Sequence, residues 1–194
     1  MKYVQQAVER RKREFHAARA CARLAMELLG ELPVAIPAAP DRSPVWPAHL
    51  IGSISHCATF CLAAVARKGE RHGAIGVDVE PAEDLPSELL DAICSPGEKA
   101  ALDDKLPEER LLLARILFSA KEAVYKCQYP LTGTILDFQD LEVTFAETCF
   151  QAKLQRPVGM FGKGSIFEGR VAFAHGCIVT GVTVPVARLG SLTA

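Results

Sequence analysis

Two carboxylates placed two residues apart are the first feature of this sequence that suggests chemistry. Asp78 and Glu80 alternate with valines in the stretch Gly76-Val77-Asp78-Val79-Glu80. The β-branched neighbours favour a strand, and a strand directs residues i and i+2 to the same face. Two carboxylates on one face repel each other unless a positive charge lies between them. A hard divalent cation such as Mg²⁺ fits this need because it takes oxygen ligands, whereas the simpler alternative is a strand with a solvated acidic face.

A third carboxylate and a lysine lie four residues apart further along the chain. Glu122 and Lys126 fall within residues 108–128, where apolar residues recur at helical spacing. On a helix they share one face, and the simplest interpretation is an ion pair worth about 0.2–0.5 kcal/mol. The chemical alternative is a third metal-binding carboxylate with a phosphate-binding lysine, both facing the strand that carries Asp78 and Glu80.

Composition excludes several classes of protein. The chain has 194 residues, of which 49% are hydrophobic, which is enough for one large or two small domains. Its net charge of −1 gives no strong electrostatic field that would attract nucleic acid or membranes. The basic run at residues 10–13 is interpreted as a solvated helix face, since no aromatic residues interleave with it. The sequence contains no apolar run long enough to span a membrane, and because its first residues are charged we expect no secretory signal. The scattered cysteines, without a Cys-x-x-Cys pair, are typical of a reducing compartment, so we expect a cytoplasmic protein.

Periodicity divides the chain into two units of α+β character. The first unit is predicted to contain a helix over residues 3–29, a proline-rich loop over 31–49, and strands over 50–56, 60–66 and 74–80. These three strands are expected to form one antiparallel sheet packed on the first helix. The second unit is predicted to contain two short helices within 86–103, and a capping box of Ser95 and Glu98 is expected to begin the second of them. A long helix ending near Pro130 and strands over 141–145, 149–154, 169–174 and 177–184 are predicted to follow. We therefore expect an N-terminal lobe over 1–74 and a C-terminal lobe over 75–194.

Four stretches of the sequence, in this order, resemble the 4′-phosphopantetheinyl transferases. They are Asp41-Arg42-Ser43-Pro44-Val45-Trp46-Pro47, Gly52-Ser53-Ile54-Ser55-His56-Cys57, Gly76-Val77-Asp78-Val79-Glu80 and Phe118-Ser119-Ala120-Lys121-Glu122-Ala123-Val124-Tyr125-Lys126. The resemblance is to the monomeric, two-lobed surfactin-type branch, and residues 14–23 are similar to its enterobactin-synthetase-component subgroup. Each motif alone is weak evidence, but all of them in order is strong. The resemblance implies a pseudo-dimeric fold of two similar α/β lobes, each a small antiparallel sheet packed on helices.

The resemblance also implies a reaction and its partners. The 4′-phosphopantetheine arm of coenzyme A would be transferred to a serine of an acyl or peptidyl carrier protein from polyketide, non-ribosomal peptide, siderophore or fatty acid synthesis. The other product would be adenosine 3′,5′-bisphosphate. A coenzyme A-binding protein that has lost transfer activity is the alternative, and the presence of all three carboxylates and Lys126 argues against it.

Specific roles follow from the resemblance. Asp78, Glu80 and Glu122 would hold Mg²⁺, or Mn²⁺, which also takes oxygen ligands. Glu122 would take the proton from the carrier serine, and Lys126 would stabilise the leaving bisphosphate. Coenzyme A would be bound by Arg19, Arg42, Ser55, His56, Lys121 and Lys126. Phosphoryl transfer needs such groups, because the charge of a pyrophosphate must be neutralised while the nucleophile is held in line.

Overall fold

A computed structural model describes the backbone of residues 2–69 and 71–192 and the side chains of residues 9, 11–69 and 71–189. Among the basic residues 10–13, the side chain of Arg10 lies outside this description. The elements in chain order are α1 (Lys2–Leu28), β1 (Leu50–His56), β2 (Cys61–Arg67), β3 (His72–Pro81), α2 (Leu90–Ile93), α3 (Pro96–Asp103), α4 (Pro107–Thr132), β4 (Leu141–Ala146), β5 (Cys149–Leu154), β6 (Ile166–Ala174), β7 (Cys177–Pro185) and α5 (Val186–Leu192). None of the described helices is long and apolar enough to cross a membrane.

The larger sheet contains five antiparallel strands in the order β3-β7-β6-β5-β4, and α4 packs across it. The helix presents a face of small, fully buried residues to the sheet: Ala120, Ala123, Val124 and Cys127. Gly76 on β3 permits the close approach, because a Cβ at this position would lie 1.9 Å from the carbonyl oxygen of Ala123. This tight contact brings the acidic end of β3 beside Glu122.

The smaller sheet is the hairpin of β1 and β2, which packs on α1 around Ala22, Met26 and Leu50. Strand β1 also lies beside β3, and side chains rather than a backbone ladder join the two. Ser53 Oγ accepts a hydrogen bond from the amide of Val77 at 3.0 Å, and Ser55 Oγ accepts one from Val79 at 3.3 Å. Two serine hydroxyls therefore satisfy backbone donors on the free side of β3.

The predicted fold class is confirmed, since helices pack on two antiparallel sheets. The predicted capping box of α3 at Ser95 and Glu98 is present as well. One strand was assigned to the wrong sheet, because β3 pairs with β7 and not with β2. Period-two alternation identifies a strand without identifying its partner. The lobe boundary between residues 74 and 75 stays a prediction, and it falls within β3.

The end of one helix and the presence of another also differ from the predictions. Helix α4 does not stop at Pro130 but continues to Thr132, where Gly133 adopts a left-handed conformation at φ +64°. A proline in the last turn removes only one intrahelical bond, so the helix can continue past Pro130 and end at a glycine three residues beyond the proline. Helix α5 at the end of the described chain was not predicted from the sequence.

Candidate active site

Asp78 lies at the centre of the site and is only 2% exposed. Its Oδ1 accepts hydrogen bonds from Lys126 Nζ at 2.6 Å and from Ser55 Oγ at 2.8 Å. Its Oδ2 accepts a hydrogen bond from Ser119 Oγ at 2.8 Å. A buried carboxylate needs such donors in place of water. The two oxygens thus have separate partners, with the lysine on one and a helix hydroxyl on the other.

Glu122 lies one helical turn before Lys126 on α4, and its Oε2 is 3.9 Å from Lys126 Nζ. Burial raises the pKa of the Glu122 carboxyl; the Lys126 ammonium opposes this effect, and the charge of Asp78 adds to it. A carboxylate with a raised pKa is a better proton acceptor than an ordinary one. The lysine therefore lies between two acidic side chains from different elements.

Glu80 has a different partner, which the sequence analysis missed. Arg115 on α4 donates from its Nη1 to Glu80 Oε2 at 3.0 Å, and its Nη2 donates to the carbonyl of Asp84 at 3.0 Å. Burial and the charge of Asp78 raise the pKa of Glu80, while Arg115 lowers it. Arg115 precedes Glu122 by seven residues, or two helical turns, so helical spacing could have placed it on the same face.

The three carboxylates have the chemistry of a divalent-cation site, but they do not form an assembled one in this structure. Within residues 9, 11–69 and 71–189, no group of three histidine, cysteine or acidic side chains is close enough to form an assembled metal site. The donor chemistry nevertheless fits a hard divalent cation, because Asp78, Glu80 and Glu122 all offer oxygen ligands. Burial raises the pKa values of Glu80 and Glu122, and the negative charge of Asp78 raises both further, so a cation at this place would be favourable. The metal assignment to these three residues stays a prediction.

A cleft of about 680 Å³ lies beside the acidic cluster, a volume typical of sites for small molecules and cofactors. It is lined by side chains from the 31–49 loop and from α4, including Arg42, Trp46, Tyr125, Lys126 and Tyr129. Asp41 fixes the loop against the helix, because its carboxylate accepts hydrogen bonds from the amide of Ser43 at 2.9 Å and the hydroxyl of Tyr129 at 2.8 Å. Arg42 is thereby held beside the cleft with a backbone φ of +72°.

The structure brings some of the predicted coenzyme A ligands to this region. Arg42 and Lys126 line the cleft. His56 is exposed at the end of β1, directly after Ser55. Ser55 itself is 5% exposed, and its hydroxyl already donates to Asp78 while accepting from Lys126 at 3.0 Å and from the amide of Val79. Its hydrogen-bonding capacity is used within the protein, so its place in this structure is that of a support for Asp78.

Two other predicted ligands have partners elsewhere. Arg19 donates to the carbonyl of Ile36 at 2.7 Å and stacks on Phe15. Lys121 is 1% exposed, and its ammonium donates to Glu98 Oε2 at 2.7 Å and to the carbonyls of Ile93 and Phe138 at 2.8 Å. These three acceptors use all the protons of the ammonium group. Lys121, which the resemblance predicts to be a coenzyme A ligand, does not line the cleft in this structure; it joins α4 to the capping box of α3.

Comparison with known proteins identifies the class to which this site belongs. Residues 1–66 match the 4′-phosphopantetheinyl transferase N-terminal domain family, and residues 74–160 match the 4′-phosphopantetheinyl transferase superfamily. The chain is 39% identical over 192 residues to 4′-phosphopantetheinyl transferase Npt of Nocardia iowensis, an alignment that covers 92% of this chain and 85% of that protein. The chain therefore belongs to the 4′-phosphopantetheinyl transferase family.

Two further relatives are similar to the chain over most of its length. It is 39% identical over 191 residues to 4′-phosphopantetheinyl transferase Svp of Streptomyces mobaraensis, with 94% of this chain and 76% of that protein covered. It is 38% identical over 140 residues to enterobactin synthase component D of Escherichia coli (strain K12), with 70% of this chain and 64% of that protein covered. The resemblance recognised in the sequence motifs is thus confirmed.

Proposed function

We propose that this chain transfers the 4′-phosphopantetheine arm of coenzyme A to a serine hydroxyl of an acyl or peptidyl carrier protein. The observation that carries the proposal is the cluster of Asp78, Glu122 and Lys126 beside a cleft that also presents Arg42. Coenzyme A carries a pyrophosphate and a further phosphate, so its binding site needs cationic side chains. Arg42 and Lys126 supply such charges in the cleft of about 680 Å³. We further propose that the chain works as a monomer in the cytoplasm.

The proposed metal ligands are Asp78, Glu80 and Glu122. When bound, Mg²⁺ would neutralise the coenzyme A pyrophosphate, and Mn²⁺ suits the same oxygen donors. Lys126 Nζ now lies 2.6 Å from Asp78 Oδ1, so its ammonium shares the carboxylate that the metal would use. Glu80 is held by Arg115, which keeps its carboxylate on the side of the 83–84 segment. We therefore expect the side chains of Lys126 and Glu80 to move when the metal and substrate bind.

The side chains of the protein supply the remaining steps. Glu122, whose pKa is raised by burial, accepts the proton of the carrier serine. The serine oxygen then bonds to the phosphorus that bears the pantetheine arm, and the pyrophosphate P–O bond breaks. Lys126 donates a hydrogen bond or a proton to the departing adenosine 3′,5′-bisphosphate, while Arg42 and His56 hold its phosphates. We assign Lys121 and Ser55 to support of these groups, because their polar atoms are already paired within the protein.

The test is intact-mass spectrometry of a purified apo carrier protein incubated with this chain, coenzyme A and Mg²⁺. We expect a mass gain of one phosphopantetheine on the carrier and release of adenosine 3′,5′-bisphosphate. The gain should disappear with EDTA and with the Glu122→Gln variant. Glu109→Gln is the matched control, since Glu109 is exposed in the first turn of the same helix and should tolerate the same substitution.

The outcomes separate the proposal from its alternative. Absence of modification on several unrelated carriers, with the protein folded, would contradict the proposed transfer. If coenzyme A still bound in a magnesium-dependent manner under those conditions, the chain would be a coenzyme A-binding protein without transferase activity. A carrier that gains mass equally in the presence of EDTA would contradict the metal assignment alone.

A further inference from the structure

Ser119 and Thr180 form a buried hydroxyl pair behind Asp78, and both side chains are fully buried. Ser119 Oγ donates to Asp78 Oδ2 at 2.8 Å and lies 2.9 Å from Thr180 Oγ1. We propose that Ser119 and Thr180 are positioning residues that hold the Asp78 carboxylate in the orientation needed to bind a divalent cation. This inference rests on the proposed function, because it concerns the same site.

The topology explains why these two hydroxyls meet. Asp78 on β3 and Thr180 on β7 are directly opposite each other in the antiparallel register, so their side chains point to the same face of the sheet. Helix α4 crosses this face and places Ser119 above the pair. Thr180 Oγ1 donates to the carbonyl oxygen of Ser119 at 2.9 Å, which fixes the helix backbone at the residue that contacts Asp78.

The direction of the hydrogen bonds favours a role at Asp78 over simple packing. The proton of Thr180 is used on the carbonyl of Ser119, so only the proton of Ser119 remains to be shared between Thr180 Oγ1 and Asp78 Oδ2. A carboxylate is the stronger acceptor of the two. Ser119 thus holds Oδ2 on the inner side, and Oδ1 is left facing Lys126 and the neighbouring Glu122.

The consequence is a defined orientation for a proposed metal ligand. Side chains that hold the ligands of a metal site commonly change metal affinity by roughly 10- to 100-fold when they are removed. Without the Ser119 hydroxyl, Oδ2 would lose its only described donor among residues 9, 11–69 and 71–189, and the carboxylate could rotate. Metal affinity should therefore depend on two hydroxyls that are themselves fully buried.

The experiment measures Mn²⁺ binding to the full chain, without coenzyme A, by calorimetry and by electron paramagnetic resonance of free Mn²⁺. We expect Ser119→Ala to weaken Mn²⁺ binding by about 10- to 100-fold and the isosteric Thr180→Val to weaken it in the same direction. Thr180→Ser keeps the hydroxyl and should restore binding. Thr183→Val is the matched control, because Thr183 is exposed three residues further along β7. In steady-state assays the apparent KM for Mg²⁺ should rise while kcat at saturating Mg²⁺ changes little.

Wild-type binding by Ser119→Ala would overturn the proposal; if that variant does not fold, the same result for Thr180→Val would overturn it. All titrations are made below the unfolding temperature of each variant, so a loss of stability alone cannot lower the measured affinity. Glu122→Gln separates this inference from the proposed function. If Glu122→Gln loses Mn²⁺ binding and Ser119→Ala does not, only the positioning role fails. If the wild-type chain does not bind Mn²⁺, or Glu122→Gln binds it equally well, the metal site itself fails and the positioning role fails with it.

Discussion

Removal of the Lys126 ammonium should make the protein bind divalent cations more tightly while abolishing phosphopantetheine transfer. Lys126 Nζ lies 2.6 Å from Asp78 Oδ1 and 3.9 Å from Glu122 Oε2, between two of the three proposed metal ligands. The ammonium and the metal compete for the same carboxylate oxygen, so Lys126→Met removes the charged competitor of the metal. Transfer should still be lost because the leaving bisphosphate then has no lysine beside it.

The magnitude follows from the contact that the metal must replace. A hydrogen bond that involves charged groups contributes about 1.5–3 kcal/mol, and every 1.4 kcal/mol is tenfold in affinity. The lysine side chain is 25% exposed, so water screens part of this interaction and the lower end of the range applies. Ser55 Oγ still donates to Asp78 Oδ1 in the variant, which keeps the carboxylate in place. We therefore expect Mn²⁺ to bind roughly tenfold more tightly to Lys126→Met than to the wild type.

The assay is a calorimetric titration with Mn²⁺ at constant ionic strength and without coenzyme A. Lys99→Met is the control, since it removes the same charge from an ion pair with Asp91, a pair that lies on the surface and involves none of the proposed metal ligands. Its Mn²⁺ affinity should equal that of the wild type. Equal or weaker Mn²⁺ binding by a folded Lys126→Met variant would refute the competition between the ammonium and the metal.

Three further predictions concern stability. Burial raises the pKa of Glu122 above its ordinary value of 4.5, so its ionised form destabilises the fold at neutral pH, and this cost disappears as the pH falls through the raised pKa. Metal-free Glu122→Gln should therefore melt at a higher temperature than the wild type at neutral pH, and the difference should be smaller in acid. An unchanged melting temperature at neutral pH would contradict this. Gly76→Ala should lower the free energy of unfolding, measured in urea, by about 1–3 kcal/mol or more, because the new Cβ would lie 1.9 Å from a carbonyl oxygen of α4. Gly181→Ala on β7 is the control, because a Cβ there meets no atom closer than 3.9 Å. Lys121→Met should lower the free energy of unfolding by about 3–5 kcal/mol, because it leaves Glu98 buried without its cation. The double variant Lys121→Met/Glu98→Gln should recover part of this loss. A Lys121→Met variant as stable as the wild type would exclude the paired role.

Local sequence patterns determined most of the helices and strands of this protein, though not α5, and the residue types of its site. Strand β1 and strand β5 have the predicted bounds, and the capping box at Ser95 begins α3 where it was expected. The acidic alternation at residues 76–80 and the Glu122–Lys126 spacing also predicted which side chains share a face. These features depend on neighbours within a few positions, because the periods of helices and strands are properties of short segments. The family could be recognised for the same reason, since its motifs are short and occur in a fixed order.

Tertiary structure alone decided which partner each of these groups meets. Three such contacts are the pairing of β3 with β7, the burial of Lys121 against Glu98, and the contact of Lys126 with Asp78. Each joins residues that lie at least 23 positions apart in the sequence, a separation that no local periodicity reports. Helical spacing showed that Lys121 and Lys126 lie on α4 but not that one is enclosed in the core and the other opens to the cleft. That distinction depends on which elements pack on each face of the helix. The packing is set by the free energy of the whole folded chain, so no local sequence pattern reports it.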